Sequence, residues 1–244
     1  MRIPDLSVVI PVHNEVENIS VLCREIQTVL DGLLDYEIVY VDDGSSDNTY
    51  DEILRQAGKC SAIRVIRHRQ NCGQSTALWT GVREARAEKI VTLDGDGQND
   101  PADIPKLWQQ WSNSNHAENL IVCGYRRQRH DTPLKKVSSR IANGFRQYIL
   151  KDATPDTGCG IKMFSRAAFL ELPYFDHMHR FLPALFIRNN GRAISVAVNH
   201  RPRTRGQSHY GMFNRLWIGL VDTFGVAWLQ RRIKHPMISK EQNK

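Results

Sequence analysis

Three oxygen-bearing side chains recur at alternate positions in Leu93-Asp94-Gly95-Asp96-Gly97-Gln98, directly after the apolar run Ile90-Val-Thr-Leu93. In an extended chain alternate side chains project to one side, so Asp94, Asp96 and Gln98 would converge. Two carboxylates and a carboxamide are hard oxygen donors, suited to Mg2+ or Mn2+ shared with phosphate oxygens. Gly95 and Gly97 permit unusual dihedrals and close approach of a ligand. An isolated Asp-x-Asp is common and reads as a solvated acidic turn, so its meaning here rests on what accompanies it.

Two further polar clusters also follow apolar runs: Pro11-Val-His-Asn-Glu15 and Asp42-Asp-Gly-Ser-Ser-Asp47. Asp42 and Asp43 could accept hydrogen bonds from a base or ribose, while Asp47 has the chemistry of a helix cap. Asn71-Cys-Gly-Gln74 opens another helical pattern. Its amides could approach phosphate or ribose, although taken alone it reads as a structural turn.

The elements that must position these clusters are legible. Leu6–Val12, Glu37–Val41, Ile63–Ile66 and Ile90–Leu93 are strand-like runs alternating with helical spacing. This is the pattern of a mostly parallel α/β sheet. Helices are expected from Ile19 to Leu33 and from Gln74 to Ala87, and another begins with Asp100 as cap and Pro101 in its first position. Open sheets of this kind bind ligands beyond the C-terminal strand ends, where all these clusters fall. The second half is less regular. Strands are expected at Leu120–Cys123, Ile161–Phe164 and Ala193–Val198, and a helix from Lys136 to Leu150.

At 244 residues, with 41% hydrophobic and 24% charged residues, the chain suits one folded domain spanning about 1–230. We divide it into a nucleotide half to about residue 100 and an acceptor half to 212, with a membrane-proximal helix and tail over 213–244. The net charge of +7 favours anionic partners without choosing among nucleic acid, membrane and phosphorylated substrate. The basic residues do not interleave with aromatic platforms, so nucleic acid is not expected. Five scattered cysteines without a Cys-x-x-Cys pair indicate neither a zinc site nor a disulfide framework, and read as incidental thiols. The N-terminus lacks a signal-like apolar stretch, so cytosolic exposure is expected.

Val8-Val-Ile-Pro-Val-His-Asn-Glu15, Val41-Asp-Asp-Gly-Ser-Ser-Asp47, Asn71-Cys-Gly-Gln74 and Leu93-Asp-Gly-Asp-Gly-Gln-Asn-Asp-Pro101 together resemble the family 2 glycosyltransferases with the GT-A fold. Within that family the chain is most similar to polyprenyl-phosphate glycosyltransferases of the dolichol-phosphate mannose synthase type, from Leu6 to about Trp228. The resemblance implies inverting transfer from a UDP- or GDP-linked sugar to a lipid phosphate, with Mg2+ or Mn2+ as cofactor. It implies donor contacts from Pro11, Asn14, Glu15, Asp42, Asp43, Asn71, Gly73, Asp94 and Gly95. Asp96 and Gln98 would face the metal, and Asp94 the nucleotide or sugar. The Gln/Arg-x-x-Arg-Trp signature of glycan-polymerising members is absent from the sequence.

A phosphate acceptor calls for cations. Gly124-Tyr-Arg126, Ser138-Ser-Arg-Ile-Ala-Asn143 and His200-Arg-Pro-Arg-Thr-Arg-Gly-Gln-Ser208 resemble the family's basic acceptor segments. They select Arg126 and Arg203 as catalytic cations alongside Asp94 and Asp96. Lys135, Ser139, Arg140, Asp156 and Ser208 become acceptor contacts. Lys135 and His209 depart from the usual Arg and Lys, and Arg127, Arg129 and Arg201 read as solubilising surface charge. Met178-His-Arg180 stands where many inverting relatives place an acidic residue, but a phosphate nucleophile is already ionised and needs little base assistance. Leu216–Leu229 is the most apolar segment. It is too short to span a bilayer and is interrupted by Asp222. An interfacial helix at the cytoplasmic membrane face, with Trp217 and Trp228 at headgroup depth, fits it; a buried C-terminal core helix is the alternative. Self-association or a membrane-embedded partner is left open. Rival readings are a transferase acting on a saccharide or lipid hydroxyl, and a nucleotide-sugar-binding protein without turnover.

Overall fold

The computed structural model describes residues 2–114, 119–126, 144–152, 154–202 and 212–234, and of 212–217 only the backbone. Strands Leu6–Val12 (β1), Tyr36–Asp42 (β2), Ile63–Arg67 (β3) and Lys89–Thr92 (β4) alternate with helices Val16–Leu30 (α1), Thr49–Ala57 (α2) and Gln74–Glu84 (α3). Then follow Ile104–Ser112 (α4), Leu120–Arg126 (β5), a helix over 144–150 (α5), Lys162–Ser165 (β6), Arg166–Leu170 (α6), Leu182–Arg188 (α7), Arg192–Val198 (β7) and Met212–Arg232 (α8).

One seven-stranded sheet runs β3-β2-β1-β4-β6-β5-β7. β1 lies parallel to both β2 and β4, and five of its seven residues are fully buried, with Val12 nearly so. Burial on both faces is why the run is continuously apolar rather than alternating. β6 is antiparallel to both β4 and β5, while β5 and β7 are parallel. The expected strand ends shift slightly. β4 stops at Thr92, because Leu93 leaves the ladder after its amide bonds the Val9 carbonyl. α3 stops at Glu84 rather than Ala87, where Ala85 turns extended and Arg86 N donates to Glu37 at 2.6 Å. Of the helix expected from 136, residues 144–150 are helical and 136–143 lie outside the described residues.

Buried Glu37 ties three segments together. Besides the Arg86 amide it accepts Ser7 Oγ at 2.7 Å and Arg64 Nη1 at 2.9 Å. α8 docks through Val226 and Thr223, both buried, and through Gln230, which donates to the Leu150 and Ala184 carbonyls. Its other face carries Leu220, Val221, Phe224 and Trp228 in the open. The structure therefore joins the two readings of this segment, a docked face and an exposed apolar one. Among the described residues no helix is long and apolar enough to cross a membrane. The side chain of Trp217 lies outside the described residues.

Candidate active site

The sheet order reverses between β1 and β4, so the loops after these two strands part and leave a crevice, the place where open α/β sheets take ligands. A cavity of about 590 Å³ opens there, within the usual range for small-molecule sites. Pro11 lines it from the end of β1, His13 and Glu15 from the loop that follows, Asp43 from the loop after β2, and Asn71, Gly73 and Gln74 from the start of α3. Asp94, Gly95 and Asp96 enter after β4. The loop before β6 adds Thr157, Gly158 and Gly160, with Lys162, His179 and Arg180 beside them.

The loops after β1 and β2 are stitched to each other. Asn14, at φ 56°, accepts the Ser46 amide on its side chain at 2.8 Å and donates its own amide to Ser45 Oγ. Positive φ is tolerated well by Asn, whose short side chain bonds locally. Glu15 N donates to Thr49 Oγ1, and the His13 ring donates to the Asp43 carbonyl at 3.0 Å. Asp47 Oδ1 accepts the Thr49 amide at 2.9 Å from one residue ahead of the N-cap, which is Asn48, so Asp47 braces the start of α2 without being its cap. Gly44, at φ 68°, lies so close to the next loop that a Cβ would stand 2.5 Å from the Gln70 carbonyl carbon. Asp43 secures that loop by accepting the Cys72 and Gly73 amides at 2.9 and 2.8 Å.

Asp94 holds the centre. Its Oδ1 accepts Gln74 Nε2 at 2.9 Å, and its amide donates to Asn99 Oδ1 at 2.8 Å. Burial raises the Asp94 carboxyl to about 6, helped by the charge of Asp96 and opposed by Lys162, Arg126 and the Gln74 bond. Such a carboxylate gains from a nearby cation. Asp94 and Asp96 are a hard-oxygen pair whose mutual repulsion a divalent ion would relieve, so these residues fit Mg2+ or Mn2+. Gln98 meets Asp96 through its backbone, its amide donating to Asp96 Oδ1 at 3.1 Å.

The expected donor residues divide by geometry. Pro11, Glu15, Asp43, Asn71, Gly73, Asp94, Gly95 and Asp96 come together around the cavity, whereas Asn14, Asp42 and Gln98 do not line it. Asn14 braces the two loops. Asp42, fully buried, accepts the Ser45 amide at 3.1 Å and has Arg67 Nε 3.1 Å from its other oxygen. Arg126 and Asp156 form a two-pronged pair at 2.6 and 2.8 Å just behind the lining. Arg201 is no mere solubilising charge: it clamps Glu25 of α1 at 2.8 Å and Asp100 at 2.6 Å, and its amide donates to the Gln98 carbonyl. That bond brings the chain after β7 against the loop carrying Asp96. Arg203, Lys135, Ser139, Arg140 and Ser208, with Arg127 and Arg129, lie outside the described residues.

Several contributors were not singled out in sequence. Lys162 is buried opposite Thr92 in the ladder, with its ammonium on the Cys159 carbonyl. His179, which burial holds neutral far below its ordinary value, bonds Ser75 Oγ at 2.7 Å. Buried Arg146 of α5 gathers Asp152, the Thr154 carbonyl and Thr157 Oγ1.

Sheet order, switch-point crevice and acidic strand end define a nucleotide-sugar-transferase architecture of the GT-A class. The chain belongs to Glycosyl transferase family 2, whose model matches residues 7–172. It is 31% identical over 240 residues to a dodecaprenyl-phosphate galacturonate synthase of Rhizobium johnstonii, covering 95% of this chain and 69% of that protein. It is 32% identical over 210 residues to an undecaprenyl-phosphate 4-deoxy-4-formamido-L-arabinose transferase of Edwardsiella ictaluri. That alignment covers 85% of this chain and spans 63% of the relative's length. In fold the chain resembles the glucosyl-3-phosphoglycerate synthase of Mycobacterium tuberculosis solved with UDP. The TM-score is 0.66 at 18% identity, over 95% of this chain and 82% of that one.

Proposed function

We propose that the protein transfers a sugar from a nucleoside diphosphate donor, most consistent with a UDP-sugar, to a polyprenyl phosphate at the cytoplasmic membrane face. The observation that carries this is the meeting of Asp43, Asp94 and Asp96 with Lys162 and Arg180 around one cavity. Two curated relatives whose names specify polyprenyl-phosphate products or acceptors support the choice of acceptor.

In this reading the nucleoside lies along Pro11, Asp43, Asn71 and Gly73, and Asp94 faces the nucleotide or sugar. Asp96, with Asp94 beside it, would hold Mg2+ or Mn2+, which would supply positive charge for the leaving diphosphate. Gln74 and Asn99 fix Asp94 before substrate arrives, so little reorganisation remains for the reaction. Lys162 and Arg180 offer positive charge to an acceptor phosphate. That phosphate is itself the nucleophile, so the chain's task is to align it with the sugar and exclude water. Arg126 acts from behind through Asp156, and Arg203 is assigned a cationic role on its sequence motif alone. The exposed face of α8 brings the site to the membrane.

Purified protein incubated with UDP- and GDP-sugars, Mg2+ or Mn2+ and a short-chain polyprenyl phosphate should yield a lipid-linked sugar detectable by mass spectrometry. Glycosylation of saccharide or protein acceptors alone would overturn the acceptor assignment.

A further inference from the structure

The His68 ring stands between two oxygens, with Nδ1 2.7 Å from Asp43 Oδ1 and Nε2 3.0 Å from Thr80 Oγ1. Cys72 follows four residues later, its amide tied to the same Asp43 oxygen. The thiol is exposed and rests on the Gln70 carbonyl at 3.4 Å, a contact that one side-chain rotation releases. The donor atoms of Asp43, His68 and Cys72 all lie within 4.8 Å of one another.

This donor set differs in kind from the acidic pair. One carboxylate oxygen, one imidazole nitrogen and one thiol sulfur suit a thiophilic divalent ion, bound at about 2.0–2.3 Å with a fourth position open. Asp94 and Asp96 offer only oxygen, which suits Mg2+ or Mn2+. The hydroxyl on Nε2 is the kind of partner that orients a metal-bound imidazole. Asp43 and the loop of residues 70–73 are locked together before any ion arrives. The thiol must swing in, and the His68 ring must draw back from its 2.7 Å contact with Asp43 to the roughly 3.3 Å that two donors on one tetrahedral ion keep.

We propose that Asp43, His68 and Cys72 form a second metal site, selective for Zn2+ and chemically similar soft ions, at the rim of the donor cavity. Asp43 also lines that cavity. Zn2+ bound there occupies a carboxylate that the proposed function sets against the nucleoside, so metal and donor exclude each other. This consequence, unlike the site itself, rests on that reading.

Co2+ is the probe, titrated into the metal-free full-length protein with Mg2+ in large excess to saturate the acidic pair. One equivalent should produce a near-ultraviolet thiolate-to-cobalt charge-transfer band. Cys72→Ser, at an exposed position, should lose the band and keep its circular dichroism. Thr80→Val should weaken Co2+ binding by about tenfold or more, and Asp96→Ala should leave the band intact. No band, or a band that Cys72→Ser retains, overturns the site. UDP should suppress the band. A Cys72-dependent band indifferent to UDP upholds the metal site and overturns the placement of the nucleoside against Asp43.

Discussion

Gly160 faces the Asp94 carboxylate so closely that a Cβ would stand 2.1 Å from Oδ2. The contact is with a side chain held by Gln74, so an added methyl must push the carboxylate out of place rather than find room. Gly160→Ala should cut sugar transfer by more than about tenfold, since small displacements of a catalytic group are expensive. Overpacking should cost about 1–3 kcal/mol of stability; parallel rate and thermal-unfolding measurements check both. Asp96 differs, being half-buried on the cavity wall, where its Oδ1 accepts the Gln98 amide at 3.1 Å. Asp96→Ala should abolish transfer and Mg2+ binding at the acidic pair, the latter followed by calorimetry. Unfolding free energy should stay within about 0.5 kcal/mol, and retained activity would refute its assignment as the metal-holding residue.

Among the elements, β1, β2 and the turn into β4 depend on Glu37. Burial by itself would raise its carboxyl. Hydrogen bonds from Arg86 N, Ser7 and Arg64, with the Arg64 charge, outweigh that and hold it below the ordinary value. A carboxylate depressed in the folded state contributes stability that is present above its unfolded value and lost as pH falls through the folded one. Wild-type stability should therefore drop on acidification below the ordinary glutamate range. Glu37→Gln should flatten that part of the profile and cost about 1–3 kcal/mol at neutral pH, as denaturant unfolding across a pH series will report. The Arg126–Asp156 pair ties β5 to the loop before β6. Its two short bonds commit the guanidinium before any acceptor arrives.

Across the whole molecule, the described chain presents an apolar strip on α8 continued by Phe145 and Tyr148 of α5, with Phe145 and Phe224 in edge contact at 6.1 Å. Exposed Leu220, Val221, Phe224 and Trp228 recur at helical spacing on the face opposite Val226. Such a face beside Arg231 and Arg232 matches a membrane interface. Val221→Ser with Phe224→Ser should lower the fraction floating with anionic vesicles at least about threefold, given the apolar area removed. Thermal stability should fall by no more than about 1 kcal/mol, the worth of the Phe145 edge contact, because neither side chain belongs to the docked face. Unchanged flotation would assign membrane attachment elsewhere.

The strands and first helices were legible in the sequence because each is specified locally: β1 by a run apolar but for Ser7, the 3-10 turn leading into α4 by Asp100 and Pro101, the acidic pair by its place at a strand end. Local patterns also set Asp47 beside the start of α2 and a helix over Leu216–Leu229, though not which of its faces docks. What they could not contain is pairing. That β6 enters antiparallel between β4 and β5, carrying Lys162 to the cavity, depends on strand neighbours some 40–70 residues apart in the chain. The same holds for Gly160 against Asp94, for Arg201 on Glu25 and Asp100, and for the separation of Asp43, on the wall, from Asp42, beneath it. Adjacent residues in a strand-end loop point in different directions, and only the packed sheet decides which of them meets the ligand and which meets the core.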